Sequence, residues 1–221
     1  MPDLNFQVSN VRAATKGLAP LLGFTVSVKN SSAESIRSIL LHAQIQIQCP
    51  RRAYNAREKE NLIELFGTPD RWGQTLRNCL LTCADTTIGT FDREIDATFY
   101  IPCSYDLKLA ATKFFYGLEE GEIPLLFLFS GTVFYTAENG QIQTQPISWN
   151  KEAVYRMPLS VWRNLMEEHF PNSAWLYLRR DIFSRLYALK RANGDTTWDQ
   201  TIERLLPEAN PVKMETQEAL A

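Results

Sequence analysis

Histidine is scarce in this chain, and its scarcity limits the catalytic schemes that the sequence can support. The 221 residues include two histidines, His42 in a predicted strand and His169 near the end of a predicted helix. Histidine is the usual general acid or base near neutral pH, so most acid–base schemes lack their main residue. The sequence also has no G-x-G-x-x-G fingerprint, no Walker sequence and no H-E-x-x-H. These absences weaken the common nucleotide-dependent and metalloprotease classes and leave open enzymes that use neither motif.

Cysteine, excess charge and long apolar runs are also in short supply. The four cysteines follow no secretory signal, which predicts free thiols in a reducing compartment. A formal net charge of −2 gives no global reason to bind nucleic acid or anionic lipid. No run approaches the roughly 18 apolar residues that a membrane-spanning helix needs. We therefore expect a cytoplasmic protein that neither inserts into a membrane nor binds nucleic acid.

What the sequence does contain is a strong sheet pattern centred on residues 123–135, which read I-P-L-L-F-L-F-S-G-T-V-F-Y. Five consecutive large apolar residues, Leu125 to Phe129, predict a strand that is buried on both faces. A helix is the alternative for so short a run, but Pro124, Gly131 and the β-branched and aromatic residues after it favour a strand. We expect the rest of the fold to be built around this core strand.

Alternating apolar and polar residues, with a ragged alternation over residues 80–88, predict further strands that precede the core strand in the sequence. They cover residues 4–8, 22–28, 39–47, 80–88 and 95–101. A strand, a loop and a long antiparallel partner are how immunoglobulin-like sandwiches commonly begin. Asn139-Gly140 predicts a hairpin after the core strand, and Pro146 makes its second arm an edge strand.

Helical patterns interrupt the strands and follow them. Asn55 and Glu58 resemble a capping box that opens an inserted helix, and a crossover helix is predicted at about Asp106 to Glu119. Apolar spacing predicts three more helices after Trp149, the last opened by Thr196 with Asp199 as a capping box. The predicted fold is α+β, an antiparallel immunoglobulin-like β-sandwich with inserted helices over residues 1–149. A helical C-terminal segment packed on it covers residues 150–206, and a flexible tail covers residues 207–221.

The cysteines offer the most metal-like spacing in the chain. Cys79 and Cys83 are four residues apart, and such residues share a face in a regular helix or strand. A structural zinc site also needs a second ligand pair, whereas Cys49 and Cys103 are single and distant. We therefore expect these thiols to be packing residues and expect no cofactor, with a metal or redox role for Cys79 and Cys83 as the alternative. Ser130 lacks a nucleophile elbow and is expected to be a small packing residue, so the chain is predicted not to be an enzyme.

Basic and aromatic residues provide the candidates for partner binding. Arg51 and Arg52 open one basic concentration that could receive an acidic partner surface. Tryptophan supplies much of the energy in helix docking and in partner interfaces, and both uses stay open for Trp72, Trp162 and Trp175. A second basic concentration, residues 179–191, is explained by solvation of a helix face.

Several stretches together resemble an uncharacterised bacterial family. They are M-P-D-L-N-F-Q-V, Q-I-Q-I-Q-C-P-R-R-A-Y, L-F-G-T-P-D-R-W-G, G-E-I-P-L-L-F-L-F-S-G-T-V-F-Y and F-P-N-S-A-W-L. The sequence is similar over almost its whole length to the domain of unknown function 6084, often encoded near uptake nickel–iron hydrogenase genes. The strong core pattern, the aromatic residues of the appended helices and the poor catalytic equipment predict a non-enzymatic accessory or assembly protein that binds another protein, and the gene proximity that the resemblance implies makes a hydrogenase component a candidate partner. An unfamiliar ligand-binding sandwich is a further alternative, and no catalytic residues are carried over.

Overall fold

The fold is mixed α+β with antiparallel sheets, and the computed structural model describes residues 1–14, 19–103, 109–174, 176 and 178–206. Its strands are β1 Leu4–Ala14, β2 Leu21–Asn30, β3 Ser35–Ile47, β4 Cys79–Ile88, β5 Glu94–Pro102, β6 Glu122–Thr136, β7 Ile142–Pro146 and β8 Glu152–Pro158. Its α-helices are α1 Ala56–Asn61, α2 Ile63–Phe66, α3 Trp72–Thr75, α4 Leu109–Gly117, α5 Leu159–His169, α6 Arg180–Asn193 and α7 Trp198–Leu205. Among the described residues, strands β1 to β8 and helices α1 to α5 lie in one unit, Met1–Ser173, and α6 and α7 lie in a second, Ala174–Ala221.

The strands form two antiparallel sheets. The three-stranded sheet has the order β1-β2-β5, and the five-stranded sheet has the order β4-β3-β6. The remaining two strands share the free edge of β6, with β8 along residues 122–128 and β7 along residues 132–136. The strand predicted to be central therefore pairs with three others, as expected from its length and apolar content.

Phenylalanines from the two sheets meet in a common core. The ring of Phe6 in β1 stacks on that of Phe129 in β6 with 4.6 Å between centroids. Phe24 in β2 meets Phe127 in β6 edge-on at 5.3 Å. Such ring pairs add to the free energy that burial of their apolar area supplies. The antiparallel α+β class predicted from the sequence is confirmed.

Burial of β6 differs from the prediction on one face. Leu125, Phe127 and Phe129 are buried, but Leu126 and Leu128 on the opposite face are only half-buried. A run of apolar residues cannot show which face is covered, because the cover comes from other parts of the chain. The prediction that this strand is buried on both faces is therefore wrong for its outer face.

The inserted helical segment, residues 50–78, begins as the sequence predicts. The Asn55 side chain accepts a hydrogen bond from the backbone N–H of Glu58, and the Glu58 carboxylate accepts one from that of Asn55. This capping box is confirmed, but the predicted single helix is divided at Leu62 into α1 and α2, and a further short helix, α3, follows. The crossover helix is also confirmed as α4, although residues 106–108 of the predicted range lie outside the described residues.

One strand was not predicted. Residues 152–158 form β8, and Ala153, Tyr155 and Met157 face the core side of β6. This alternation was visible in the sequence, but the helical composition beyond residue 149 obscured it. The first unit accordingly continues through α5 to Ser173, beyond the predicted boundary at residue 149. The predicted tail, residues 207–221, lies outside the described residues.

The second unit is held together by aromatic rings between its two helices. Phe183 of α6 meets Trp198 of α7 with 5.4 Å between centroids, and the ammonium group of Lys190 lies 5.8 Å from the Trp198 ring. The capping box of α7 uses Thr197 and Gln200, one residue later than the predicted Thr196 and Asp199. In the part of the chain that the structure describes, no helix has both the length and the apolar content to cross a membrane.

Candidate functional site

Arg52, a predicted partner contact, is used inside the protein. Its guanidinium forms a bidentate pair with the Glu58 carboxylate, with both N···O distances at 2.8 Å. The other three N–H groups donate to the backbone carbonyls of Ala53 at 3.3 Å, Glu122 at 3.2 Å and Glu120. Arginine has five N–H donors, so this side chain, which is only 8% exposed, has none left for a partner.

Glu58 is the centre of the same network. Its side chain is 3% exposed and also accepts hydrogen bonds from the backbone N–H groups of Glu119 at 2.9 Å and Asn55 at 3.2 Å. Burial raises the pKa of the Glu58 carboxyl, but the bonds from Arg52, Glu119 and Asn55 outweigh burial and hold the pKa below its ordinary value. The network therefore ties the start of α1 to the loop between α4 and β6.

Arg51, the other predicted basic contact, is exposed. It lines an open depression of about 690 Å³ together with Arg156 of β8 and the acidic residues Glu120 and Glu122. This depression carries charges of both signs, so it suits a polar partner segment better than a uniformly acidic one. Arg51 and Arg156 are the two cations of its rim that are exposed to solvent.

Next to this depression lies a partly uncovered apolar surface, which we call the outer apolar face: Leu126, Leu128 and Val154. Leu126 in β6 pairs directly with Val154 in β8, and Val154 is 49% exposed. Arg156 follows two residues later on the same side of β8. The outer apolar face and the arginine-lined depression are therefore neighbouring parts of one surface. Sequence reasoning missed it because it treated the whole core strand as internal.

Two of the three predicted tryptophans are internal. Trp72 is 9% exposed and donates its indole N–H to the Gly67 carbonyl at 2.9 Å. Trp162 is 3% exposed and meets Phe115 at 5.1 Å between ring centroids. These contacts match the helix-docking use of tryptophan that the sequence left open, whereas Trp175 lies outside the described residues. Trp149, which was not singled out as a contact, is 91% exposed.

The structure does not bring Cys79 and Cys83 together. Cys79 pairs with the buried Ile47 and faces the core, whereas Cys83 pairs with Gln44 and faces outward. The register shift between β3 and β4 leaves Leu81 without a partner, as in a β-bulge. One extra residue reverses the alternation of side chains, so residues four apart end on opposite faces.

Cys79 instead meets Cys49. The two sulfur atoms lie 3.8 Å apart, with Cys49 buried and Cys79 half-buried. The residues are 30 positions apart in the chain, which is why a search for closely spaced cysteines misses them. Within the described residues, no group of three or more histidine, cysteine or acidic side chains is arranged to hold a metal ion.

A polar row on the outer side of the five-stranded sheet contains serine, histidine and aspartate. His42 lies between Ser130 and Asp85 in the strand register, and its Nδ1 is 2.7 Å from the Asp85 carboxylate. His42 and Asp85 line a shallow depression of about 520 Å³ together with Leu40, Gly131 and Thr132. Acyl transfer also needs N–H donors for an oxyanion, but here the backbone N–H groups belong to paired strands. The row therefore resembles a cross-strand polar ladder more closely than a catalytic triad.

Comparison with solved structures returns chains of low identity. The CARDB domain of a Pyrococcus furiosus protein, solved in complex with di-metal ions, is 14% identical with a TM-score of 0.28; the match covers 71% of this chain and 92% of that one. A protein assigned to the late embryogenesis abundant class is 14% identical with a TM-score of 0.31, covering 72% and 73%. A β-glucosidase from Kluyveromyces marxianus is 8% identical with a TM-score of 0.26, covering 71% of this chain and 15% of that enzyme. At these TM-scores the likenesses carry no argument about function.

Comparison at the level of sequence gives one informative result. No protein with curated functional information matches this chain. A family profile does match, over residues 1–214, and its description is "Family of unknown function (DUF6084)". The match includes both cysteines of the Cys49–Cys79 pair, the Arg52–Glu58 pair and the outer apolar face. The chain therefore belongs to this family of unknown function.

Proposed function

We propose that this protein is a non-enzymatic accessory or assembly protein that binds another protein, in a nickel–iron hydrogenase system. The single observation that carries the binding part of the proposal is the outer apolar face beside Arg51 and Arg156. The hydrogenase part rests on the gene proximity that the family resemblance implies, and such proximity is associational.

The composition of this surface suits a protein partner. Fully buried centres of interfaces are apolar, and arginine is enriched among the residues that contribute most to binding. Leu126, Leu128 and Val154 would supply the apolar centre, and Arg51 and Arg156 would supply a charged rim. Arg52 takes no part in this proposal because its donors are used internally.

The proposed scaffold is an immunoglobulin-like β-sandwich. It is supported by the two antiparallel sheets and by the phenylalanines that meet between β1, β2 and β6. A sandwich of this kind presents rigid strand faces, on which exposed side chains need little reordering when a partner binds.

Co-purification from the native host tests the proposal. The tagged protein is compared with Arg51→Glu/Arg156→Glu and with Val154→Lys, and partners are quantified by mass spectrometry. We expect a hydrogenase subunit or maturation component at near-stoichiometric amounts with the wild type and at least tenfold less with each variant.

Tyr100→Lys is the matched control for Val154→Lys. Tyr100 is an exposed strand residue of β5 in the other sheet, with 44% exposure against 49% for Val154. Its substitution should leave recovery of the partner unchanged. Equal recovery with all variants would refute this surface, and a reproducible lack of any stoichiometric partner would refute the binding function itself.

A further inference from the structure

Cys49 and Cys79 stand at the two ends of the inserted helical segment. Cys49 lies two residues after Ile47, the last residue of β3, and Cys79 is the first residue of β4. Ile47 pairs with Cys79 in the strand register, so strand pairing holds the backbone of Cys79 next to the end of β3, from which Cys49 follows. Their sulfur atoms are 3.8 Å apart, so a disulfide bond of about 2.05 Å requires a shift of the side chains by less than 2 Å.

We propose that Cys49 and Cys79 form a dithiol site that low-molecular-weight disulfides, such as glutathione disulfide, oxidise reversibly to an intramolecular disulfide. The site differs from the protein-binding surface in both residues and chemistry. It therefore stands or fails independently of the proposed function.

The two thiols are suited to different steps. Cys79 is half-buried and reachable from solvent, whereas Cys49 is fully buried. The Cys49 S–H donates a hydrogen bond to the Cys79 sulfur, and this bond lowers the pKa of Cys79 to about 7 although burial opposes the shift. The same contact is the main cause that raises the pKa of Cys49, and burial raises it further. Cys79 is therefore the attacking thiolate and Cys49 the second thiol.

Oxidation proceeds by two exchanges. The Cys79 thiolate attacks one sulfur of glutathione disulfide, whose S–S bond breaks and releases one glutathione thiolate. Cys49 then loses its proton and attacks the Cys79 sulfur, which expels the second glutathione thiolate. The two cysteines lose two electrons and two protons, and the glutathione disulfide becomes two glutathione thiols.

The remaining cysteines provide internal controls. Cys83 is exposed and points to the outer side of the sheet, so it can form a glutathione adduct but cannot reach Cys49. Cys103 is buried, and burial raises its pKa to about 12. It should remain a thiol as long as the protein is folded.

The test uses the full chain, purified without oxygen and incubated with glutathione disulfide at neutral pH. We expect peptide mapping to find a Cys49–Cys79 disulfide that dithiothreitol reverses. Cys49→Ser should instead retain a glutathione adduct on Cys79, and Cys83→Ser should form the intramolecular disulfide to the same extent as the wild type. Alkylation of Cys79 should have a midpoint near pH 7 in the wild type and above pH 8 in Cys49→Ser.

The same peptide mapping would also reveal the results that overturn the proposal. If Cys83 becomes fully modified while Cys49 and Cys79 both remain thiols in folded protein, the proposal is overturned. The same follows if Cys79 links to Cys83 or Cys103 in place of Cys49. Should the Cys49→Ser variant not fold, mapping of the wild type alone still decides between these outcomes.

Discussion

Two consecutive arginines, Arg51 and Arg52, have opposite roles in this molecule. The Arg52 side chain is 8% exposed, and all five of its N–H groups donate to Glu58 or to backbone carbonyls. Arg51 is exposed at the rim of the neighbouring depression. A buried guanidinium is tolerated only when its donors are satisfied, so Arg52 is committed to the fold. Arg51 is exposed and is therefore available for recognition of a partner.

The largest expected effect is that of removing the buried member of the pair. Arg52→Met keeps much of the side-chain volume but leaves the Glu58 carboxylate buried without its cation. We expect the free energy of unfolding to fall by roughly 3–5 kcal/mol, as for other broken buried ion pairs. Urea denaturation measures it, with Arg51→Met as the control, expected to lie within about 0.5 kcal/mol of the wild type. Equal losses for the two variants would abolish the contrast between the two arginines.

A smaller loss is expected when the charge of the partner is removed. Glu58→Gln preserves the capping box, since glutamine can also serve at this position, but it loses the charge that strengthens the bonds from Arg52. We expect a loss of roughly 1.5–3 kcal/mol. A double-mutant cycle with Arg52→Met should give a coupling energy of about 1–3 kcal/mol. Additive losses would mean that the two side chains stabilise the protein separately.

The ion pair should also leave a signature in acid. The pKa of Glu58 is lower in the folded protein than its ordinary value of about 4.3, so its stabilising contribution is present in full above that pH. It is lost as the pH falls through the lower, folded pKa, because the folded state then takes up the proton as well. Below about pH 4 the wild type should therefore lose stability more steeply than Glu58→Gln. Parallel curves in acid denaturation would show that Glu58 does not contribute.

The smallest effect on stability should come from Arg51→Glu, which changes the sign of a charge on an exposed side chain. We expect the free energy of unfolding to change by less than about 0.5 kcal/mol. Association with the partner, in contrast, should slow and become less sensitive to salt, since rim charges act mainly on the association rate. Stopped-flow binding at two salt concentrations measures this. A large loss of stability would place Arg51 with Arg52 as a residue of the fold.

Local patterns made most of the fold predictable. The capping box at Asn55, the alternation in β2 and β3 and the apolar run of β6 each specify their structure within a few residues, whereas the predicted first strand stops six residues before the end of β1. The prediction that both faces of β6 are buried was wrong for the outer face, because the elements that cover a strand come from other parts of the chain. Leu126 and Leu128 look the same as Leu125 in the sequence, but only Leu125 faces the core.

The candidate sites were less predictable, for the same reason. Nothing in the dipeptide Arg51-Arg52 shows that one side chain points at Glu58, because that choice depends on carbonyls contributed by residues 120–122. The Cys49–Cys79 contact joins residues 30 positions apart and depends on the register of β3 against β4. The alternation of apolar residues could have revealed β8, and with it Val154 and Arg156.

The unpaired residue in β4 bears on how relatives of this chain could lose a residue without losing the thiol pair. Side chains on a strand alternate between inside and outside, so removal of the single extra residue at Leu81 would leave a regular strand. Cys79 and Cys83 would then be three positions apart and would still lie on opposite faces, Cys79 opposite Ile47 and Cys83 opposite Gln44. A deletion of one codon at this place would therefore keep Cys79 beside Cys49 and Cys83 on the outer side of the sheet.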